Sequence, residues 1–503
     1  MRGIYTSVTD IRRKVFTEVA RMAYEGGDYA KKIEELPYKI IPGEIATYRE
    51  SIFLERAIVG ERLRLCIGLP LRPVDENKPI SDGIFESAIA EKYYDPPLVN
   101  IISFACNKCP EKKFEVTNLC QGCLAHPCSE VCPKGAISFD AHGKSVIDQE
   151  KCIKCGRCRT VCPYGAIQKM ERPCAKACGM NAIGSDEHGR AQINYDLCVS
   201  CGMCIVNCPF GAISDKGQIF QLIQSIKKGD QVIAAVAPAF LGQFGPKATP
   251  EKIKDAMRHL GFADVVEVAV GADLCTIEEA EDFLKKVPEE QPFMATSCCP
   301  SWSVMAKKLF PEFAPYISMA LTPMVLTARL IKKEHPDCKV VFVGPCSAKK
   351  LEASRRSIRS DVDFVLTFEE IMGMFEAKNI DFNLLEGNEP LNEGTGAGRG
   401  FAVSGGVANA VVEAIKKIDP DREVQVDYAE GLENCKKMLT LAKAGKRNGF
   451  LLEGMGCPGG CVAGAGTLQP VAKSTAAVAK YKSQAEQQNA LDSKYAHKLK
   501  HLD

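Results

Sequence analysis

No run of 18 uninterrupted apolar residues occurs in these 503 residues, so the sequence offers no membrane span. Met1-Arg-Gly-Ile-Tyr-Thr-Ser leads into charged residues, not the apolar stretch of a secretory signal, and Arg12-Arg13 lacks the apolar segment a twin-arginine signal needs. The expectation is a cytoplasmic protein. There is no Walker A loop, no kinase or PAS-like segment, and no NAD or flavin site. The one G-x-G-x-x-G, Gly454-Met-Gly456-Cys-Pro-Gly459, carries cysteine and proline inside the loop and has no acid about 20 residues on. Excess charge is missing too. A net charge of +1 gives no argument for nucleic acid or a membrane surface.

Cysteine, by contrast, is abundant. There are 25 of them, mostly in tight clusters, and in a cytosolic chain that pattern reads as metal binding and not as a disulfide framework. Composition divides the chain. Residues 1–100 hold one cysteine, show helical apolar spacing over Ile11 to Tyr24 and Tyr48 to Val59, and carry no evident chemistry, which suits a helical cover. Residues 101–215 hold 16 cysteines. Over 230–470, β-branched runs such as Val232–Val236, Val265–Ala269, Lys339–Val343 and Glu423–Asp427 alternate with helical patterns, which predicts α/β layering with parallel strands. Residues 471–503 read as a polar helical tail on the surface.

The cysteine-rich stretch is repetitive. Four units end alike, at Cys132-Pro-Lys-Gly-Ala-Ile, Cys162-Pro-Tyr-Gly-Ala-Ile, Cys178-Gly-Met-Asn-Ala-Ile and Cys208-Pro-Phe-Gly-Ala-Ile. Two are full C-x2-C-x2-C-x3-C-P runs, Cys152/Cys155/Cys158/Cys162 and Cys198/Cys201/Cys204/Cys208. In bacterial ferredoxins such a run puts three thiolates on one 4Fe–4S cube and sends the fourth to a neighbour. A zinc ribbon does not need four cysteines in so short a run, nor a closing proline. A widened unit is Cys120/Cys123/Cys128/Cys132. The partial one is Cys174/Cys178, to which Cys106 and Cys109 could supply the missing pair. The interval from Cys132 to Cys162 equals that from Cys178 to Cys208, whereas Cys162 and Cys178 stand much closer together. Two ferredoxin-like α+β modules with four cubes follow. Cys120, Cys123 and Cys128 would share a cube with Cys162, and Cys152, Cys155 and Cys158 with Cys132. Cys198, Cys201 and Cys204 would pair with Cys178, and Cys106, Cys109 and Cys174 with Cys208. The rival scheme joins the two full runs to each other.

Three motifs in the second half, Thr296-Ser-Cys-Cys-Pro-Ser-Trp302, Pro345-Cys-Ser-Ala-Lys-Lys350 and Gly456-Cys-Pro-Gly-Gly-Cys461, each follow an expected strand. In this order they resemble the active-site domain of FeFe-hydrogenases over roughly Val232 to Leu468. The resemblance implies an α/β domain of two lobes around an H-cluster, a 4Fe–4S cube joined to a two-iron unit with CO, cyanide and a dithiolate bridge. Its ligands would be Cys299, Cys346, Cys457 and Cys461, the last being the bridge. Cys298 matches the thiol that passes protons, Lys349 the lysine that hydrogen-bonds a cyanide, and Pro238 and Met455 flank the two-iron unit. Glu279, Asp282 and Ser318 match a proton relay. Glu352, three residues after Lys349, is placed to pair with it, while Lys350 reads as a solvated lysine. Departures are Gly344 where methionine is frequent, Ser301 where glycine is frequent, and Met324 where many members are polar, which suggest a divergent subgroup. The implied activity is reversible interconversion of protons plus electrons and H2, with a ferredoxin-type carrier and maturation proteins as partners. Alternatives are a non-catalytic hydrogenase-like iron–sulfur assembly protein, or a hydrogen sensor.

Overall fold

The computed structural model describes residues 3–87, 96–354 and 361–502. Three helices open it, Ser7–Glu25, Tyr29–Ile40 and Ile52–Cys66. Thr6 caps the first, its hydroxyl accepting from the Thr9 amide at 3.3 Å. The stripe Val15, Phe16, Val19, Ala20, Met22 and Ala23 is buried. It packs on the helix Phe368–Ala377, where Gly373 allows the approach, since a Cβ there would lie 2.5 Å from Phe16 Cβ. The third helix starts at Ile52 and not near Tyr48, because the amides of Thr47 and Arg49 bond to the Glu55 carboxylate ahead of it.

The cysteine-rich region is one module inserted into another. Lys113–Val116 pairs antiparallel with Ile167–Met170, closing the first module. Val99–Ile101 pairs antiparallel with Ile213–Asp215, closing the second around it. Each module holds its own hairpin, Ile137–Phe139 with Ser145–Ile147 and Ile183–Ser185 with Ala191–Ile193. This topology explains why Cys106 and Cys109 stand upstream of the first module while Cys174 stands downstream of it.

The second half builds two parallel sheets. We number its strands β1 (Val232–Val236), β2 (Asp264–Glu267), β3 (Met294–Ala295), β4 (Lys339–Gly344), β5 (Phe364–Thr367), β6 (Gln425–Glu430) and β7 (Phe450–Met455). One sheet runs β2-β1-β4-β5 and the other β3-β7-β6, every pairing parallel. β1, buried along its full length, is the near-continuous apolar run expected of a strand covered on both faces. β2 stops at Glu267 because Ala269 already begins the helix Ala269–Lys286. β6 lies later than Glu423–Asp427, in register with β7. The tail is not a plain surface helix. Val471–Ser483 buries Ser474, Val478 and Tyr481, and the residues beyond form 3-10 turns. Tyr481 lies under the Arg399 guanidinium, whose Nε is 3.1 Å from Glu267.

Candidate metal centre and proton route

Parallel strands deliver their side chains to one edge, and ligands in such sheets bind at the carboxyl ends. Cys299 follows β3 as N-cap of the helix Pro300–Leu309, and Cys346 follows β4 as N-cap of Ser347–Ala353. Cys457 follows β7, and Cys461 opens the turn Cys461–Ala463. Pro238 follows β1. One cavity of about 90 Å³ is lined by Cys298, Cys299, Cys346, Cys457, Cys461, Lys349, Pro238 and Met455 together.

The cavity is built for a bulky, electron-rich group. Its walls are Ala, Pro, Gly, Phe and Met, with few polar atoms besides sulfur and the Lys349 ammonium. The Gly456 amide donates to Cys299 Sγ at 3.3 Å, and a Cβ at 456 would sit 3.6 Å from that sulfur. Burial pushes the thiols up, Cys346 to about 11, so only a nearby cationic metal would hold them as thiolates. Burial opposes the charge on Lys349, but Glu352 at 2.7 Å outweighs it and holds the ammonium above its ordinary range. Lys349 Nζ also donates to the Cys298 carbonyl at 3.2 Å. Gly344 has a reason: a side chain there would strike the Phe342 ring, which itself lines the cavity. Ser301 turns its hydroxyl toward the Val199 carbonyl of the second module, at 3.5 Å. Met324 is buried in the cavity wall.

Lys350 is not solvated. It is 1% exposed and held by Asp215 at 3.1 Å, Glu370 at 3.0 Å and the Lys216 carbonyl at 2.9 Å. Its helix faces the last strand of the second module, so a lysine there is drawn into a three-charge lock between module and lobe.

The three residues expected to form a relay separate into a buried and a surface part. Glu279 is fully buried, and burial pushes its carboxyl up to about 8. The Ser297 amide reaches Glu279 Oε1 at 3.3 Å, and the Ser318 hydroxyl lies near enough to pull the carboxyl down a little, while Oε2 has no hydrogen-bond partner among the described residues. Cys298, one residue from Ser297, feels the Glu279 charge. Asp282 stands a turn further along the helix, partly exposed and paired with Lys286 at 2.7 Å. No hydrogen bond joins Asp282 to Glu279 among the described residues. Sequence reasoning passed over Glu453, a fully buried β7 carboxylate that accepts the Gly405 and Ala408 amides at 2.7 and 2.8 Å. Burial raises it to about 7. An acid directly after the apolar run Phe450-Leu-Leu, still within the strand, is the available signal.

The accessory cysteines gather in groups. Cys106, Cys109, Cys174 and Cys208 line one small cavity, and Cys132, Cys152, Cys155 and Cys158 another. Cys198, Cys201 and Cys204 all feel Cys178. Cys120 and Cys128 both contact Ser145, and Cys128 packs in one cluster with Cys162. The fold therefore favours the intramodule pairing over the rival one. Among the described residues, no three His, Cys, Asp or Glu side chains are set to hold a single metal ion. A cube presents four separate irons and needs its thiolates further apart than the ligands of one zinc. The Cys198–Cys204 trio abuts the two-sheet half, since a Cβ at Gly202 would meet Ser347 Oγ at 3.0 Å.

Residues 230–465 match the family model of the iron only hydrogenase large subunit, C-terminal domain, and residues 145–168 and 191–214 match a 4Fe-4S binding domain. Iron hydrogenase 1 of Clostridium pasteurianum is 29% identical over 422 residues, covering 73% of each chain. The periplasmic Fe hydrogenase large subunit of Nitratidesulfovibrio vulgaris is 31% identical over 267 residues, 44% of this chain and 63% of its own. The cytosolic Fe-S cluster assembly factor narfl of Danio rerio is 27% identical over 284 residues, 45% of this chain and 68% of its own. These matches, on the two-sheet fold and its shared cysteine cavity, make the chain an FeFe-hydrogenase-like protein.

Proposed function

We propose that the chain is an FeFe-hydrogenase that interconverts two protons plus two electrons and H2. The supporting observation is that Cys298 and Lys349 line the same cavity as the four ligand candidates Cys299, Cys346, Cys457 and Cys461. An iron–sulfur assembly protein needs the four cysteines for a cube, but has no use for a free thiol and an ammonium beside them.

In this reading Cys299, Cys346, Cys457 and Cys461 would hold the H-cluster, Cys461 serving both its four-iron and its two-iron part, and Pro238 and Met455 would wall it. When bound, the H-cluster supplies electron storage and an open iron for hydrogen. The residues supply the rest. Lys349, charged through Glu352, would offer its donors to an anionic group held in the cavity. Cys298, in the cavity wall, would hold a proton and exchange it with Glu279, aided by Ser318. A carboxyl pushed to about 8 gives and takes protons near neutral pH, which suits an acid–base carrier. Asp282 would complete the route at the surface through water. The apolar wall excludes bulk water. The four accessory groups of cysteines would hold 4Fe–4S cubes that relay electrons between a ferredoxin-type carrier and the active cluster. Maturation proteins would supply the two-iron unit. No helix among the described residues is long and apolar enough to cross a membrane, which is compatible with a cytoplasmic location.

The non-catalytic reading keeps support from the 27% identity to the Danio rerio assembly factor. Infrared spectroscopy on protein matured with the two-iron unit separates the readings. The expected result is CO and cyanide bands together with hydrogen evolution from a reduced viologen. Four-iron signals without those bands would assign the chain to assembly. Bands with only slow turnover would assign it to hydrogen sensing.

A further inference from the structure

Among the 16 accessory cysteines, Cys155 is the one that is exposed; the others are half-buried or buried. With Cys132, Cys152 and Cys158 it lines a small cavity whose rim also carries Ile153, Lys134 and Arg157. Lys134, Lys154, Arg157 and Arg159 are all exposed, and among the described residues none of the four has an ion-pair partner. Elsewhere in the same module Lys113 pairs with Glu115, Lys151 with Asp148 and Lys169 with Glu171, while Lys144, on the hairpin Ile137–Ile147, is exposed without an ion pair among the described residues. The other accessory cavity with a cation at its rim, around Cys106 and Cys174, spends it internally. Arg172 there is 4% exposed and donates to the Gly184 carbonyl and the Ser185 hydroxyl, each at 2.7 Å. Ile153, 55% exposed between the cations, adds an apolar anchor. In a chain of net charge +1, this is a local field and not a general one.

We propose that this face is the docking site for an acidic protein electron carrier, which exchanges electrons with the cube held by Cys132, Cys152, Cys155 and Cys158. The proposal rests on the reading of these cysteines as cube ligands. A field of one sign around a redox centre steers an oppositely charged partner and raises its on-rate by about 10- to 1000-fold. The exposed sulfur edge is where a carrier comes closest to the irons. Each encounter moves one electron: the carrier is oxidised, the cube is reduced, and no bond forms or breaks. Two encounters supply the electron pair for one H2.

The test uses full-length protein made without the two-iron unit, so that its readout does not depend on hydrogen chemistry. A reduced plant-type two-iron ferredoxin, an acidic protein, is mixed with it, and the return of that ferredoxin's oxidised visible circular-dichroism bands, which four-iron cubes scarcely show, gives the electron-transfer rate. In Lys154→Glu/Arg157→Glu the second-order rate should fall by about tenfold or more, and its decline with added salt should disappear. Reduction by a zwitterionic sulfonated viologen should be unchanged. Lys154→Gln/Arg157→Gln, which disturbs the loop less, should move the rate the same way by a smaller factor. An equal ferredoxin rate in wild type and in both variants, with cubes intact, overturns the proposal. So does loss of heparin binding in the variants with the ferredoxin rate unchanged, which would assign the patch to polyanions at large. Absence of iron–sulfur absorbance in wild type would instead fail the cube reading itself. Absent CO and cyanide bands in matured protein would fail only the hydrogenase reading.

Discussion

The inserted first module and the two-sheet lobe hold cysteines by opposite means. In the module the spacing of one short segment does the work: Cys152, Cys155 and Cys158 lie within two helical turns' worth of chain, and the core around them is small. In the lobe the cysteines come from turns far apart in the sequence, the first carrying Cys299 and the last Cys461, brought together by parallel strands. The module leaves Cys155 exposed, while Cys298, Cys299, Cys346 and Cys461, half-buried, share the lobe's apolar-walled cavity. A wire needs access and tolerates water. On the proposed reading, a proton-handling site gains from fixed geometry and an apolar wall, which the lobe's larger buried core supplies.

The sharpest way to break this contrast is Lys349→Ala. The lobe's cavity offers few polar groups besides the ammonium, so an anionic group there would bear a desolvation cost of roughly several kcal/mol without it. The variant should lose the two-iron unit and all turnover while keeping five cubes by iron analysis, four in the modules and one in the lobe. Infrared bands at wild-type strength would show that the lysine does not hold the unit. Next in size is Cys298→Ala. It should keep full infrared bands and full iron yet lower turnover by about 10²–10⁴-fold, the usual span for loss of one proton-transfer group. Cys298→Asp should recover part of the rate. Wild-type turnover in the Ala variant would remove the thiol from the proton route. Glu279→Gln should be milder, about 10²-fold in turnover with bands intact, because water or Ser318 can partly bridge the gap.

The sequence made the cysteines legible because their chemistry demands fixed spacings and a turn after a strand, both local signals. β1 and β4 were readable for a similar reason, each being a short β-branched run. The insertion of one module into the other was readable only as two equal cysteine intervals, since antiparallel closure of Val99–Ile101 on Ile213–Asp215 joins the two ends of the whole cysteine-rich region. Lys350 misled because its partners, Asp215 and Glu370, lie on other elements, and a lysine beside a motif looks the same in sequence whether wet or buried. Glu453 was hidden by its role, for a carboxylate that satisfies the start of the helix Gly406–Ile418 needs no motif of its own.

The smallest effect is also the cleanest test of the contrast, because acids in the two regions are perturbed in opposite directions. In the first module, Asp140 and Asp148 accept backbone amides, from Lys144 and His142 and from Lys151 and Glu150, and those bonds hold both carboxyls below the ordinary range. Their contribution to stability is present above the ordinary aspartate pKa of 3.8 and is lost as pH falls below it. In the lobe, burial raises Glu279 to about 8 and both Asp273 and Glu453 to about 7, against ordinary values of 4.5, 3.8 and 4.5. Between those limits the unfolded chain has released protons that the folded lobe still binds, so lobe stability falls as pH rises and levels off above about 8. At 1.36 kcal/mol per pKa unit, the loss from Glu279 is on the order of a few kcal/mol. Trp302 is the only tryptophan, is fully buried, and donates its indole N–H to the Thr296 carbonyl at 2.9 Å, so its fluorescence reports the lobe alone. Thermal melts followed by that fluorescence should show a lower midpoint at pH 9 than at pH 6, and Glu279→Gln, which cannot ionise, should flatten the difference. The visible iron–sulfur absorbance, dominated by the modules, should respond little over the same range. If the Glu279→Gln melts kept the full pH dependence of the parent, the buried carboxyl would not be the group that carries a proton in the folded lobe, and the relay would lose its first member.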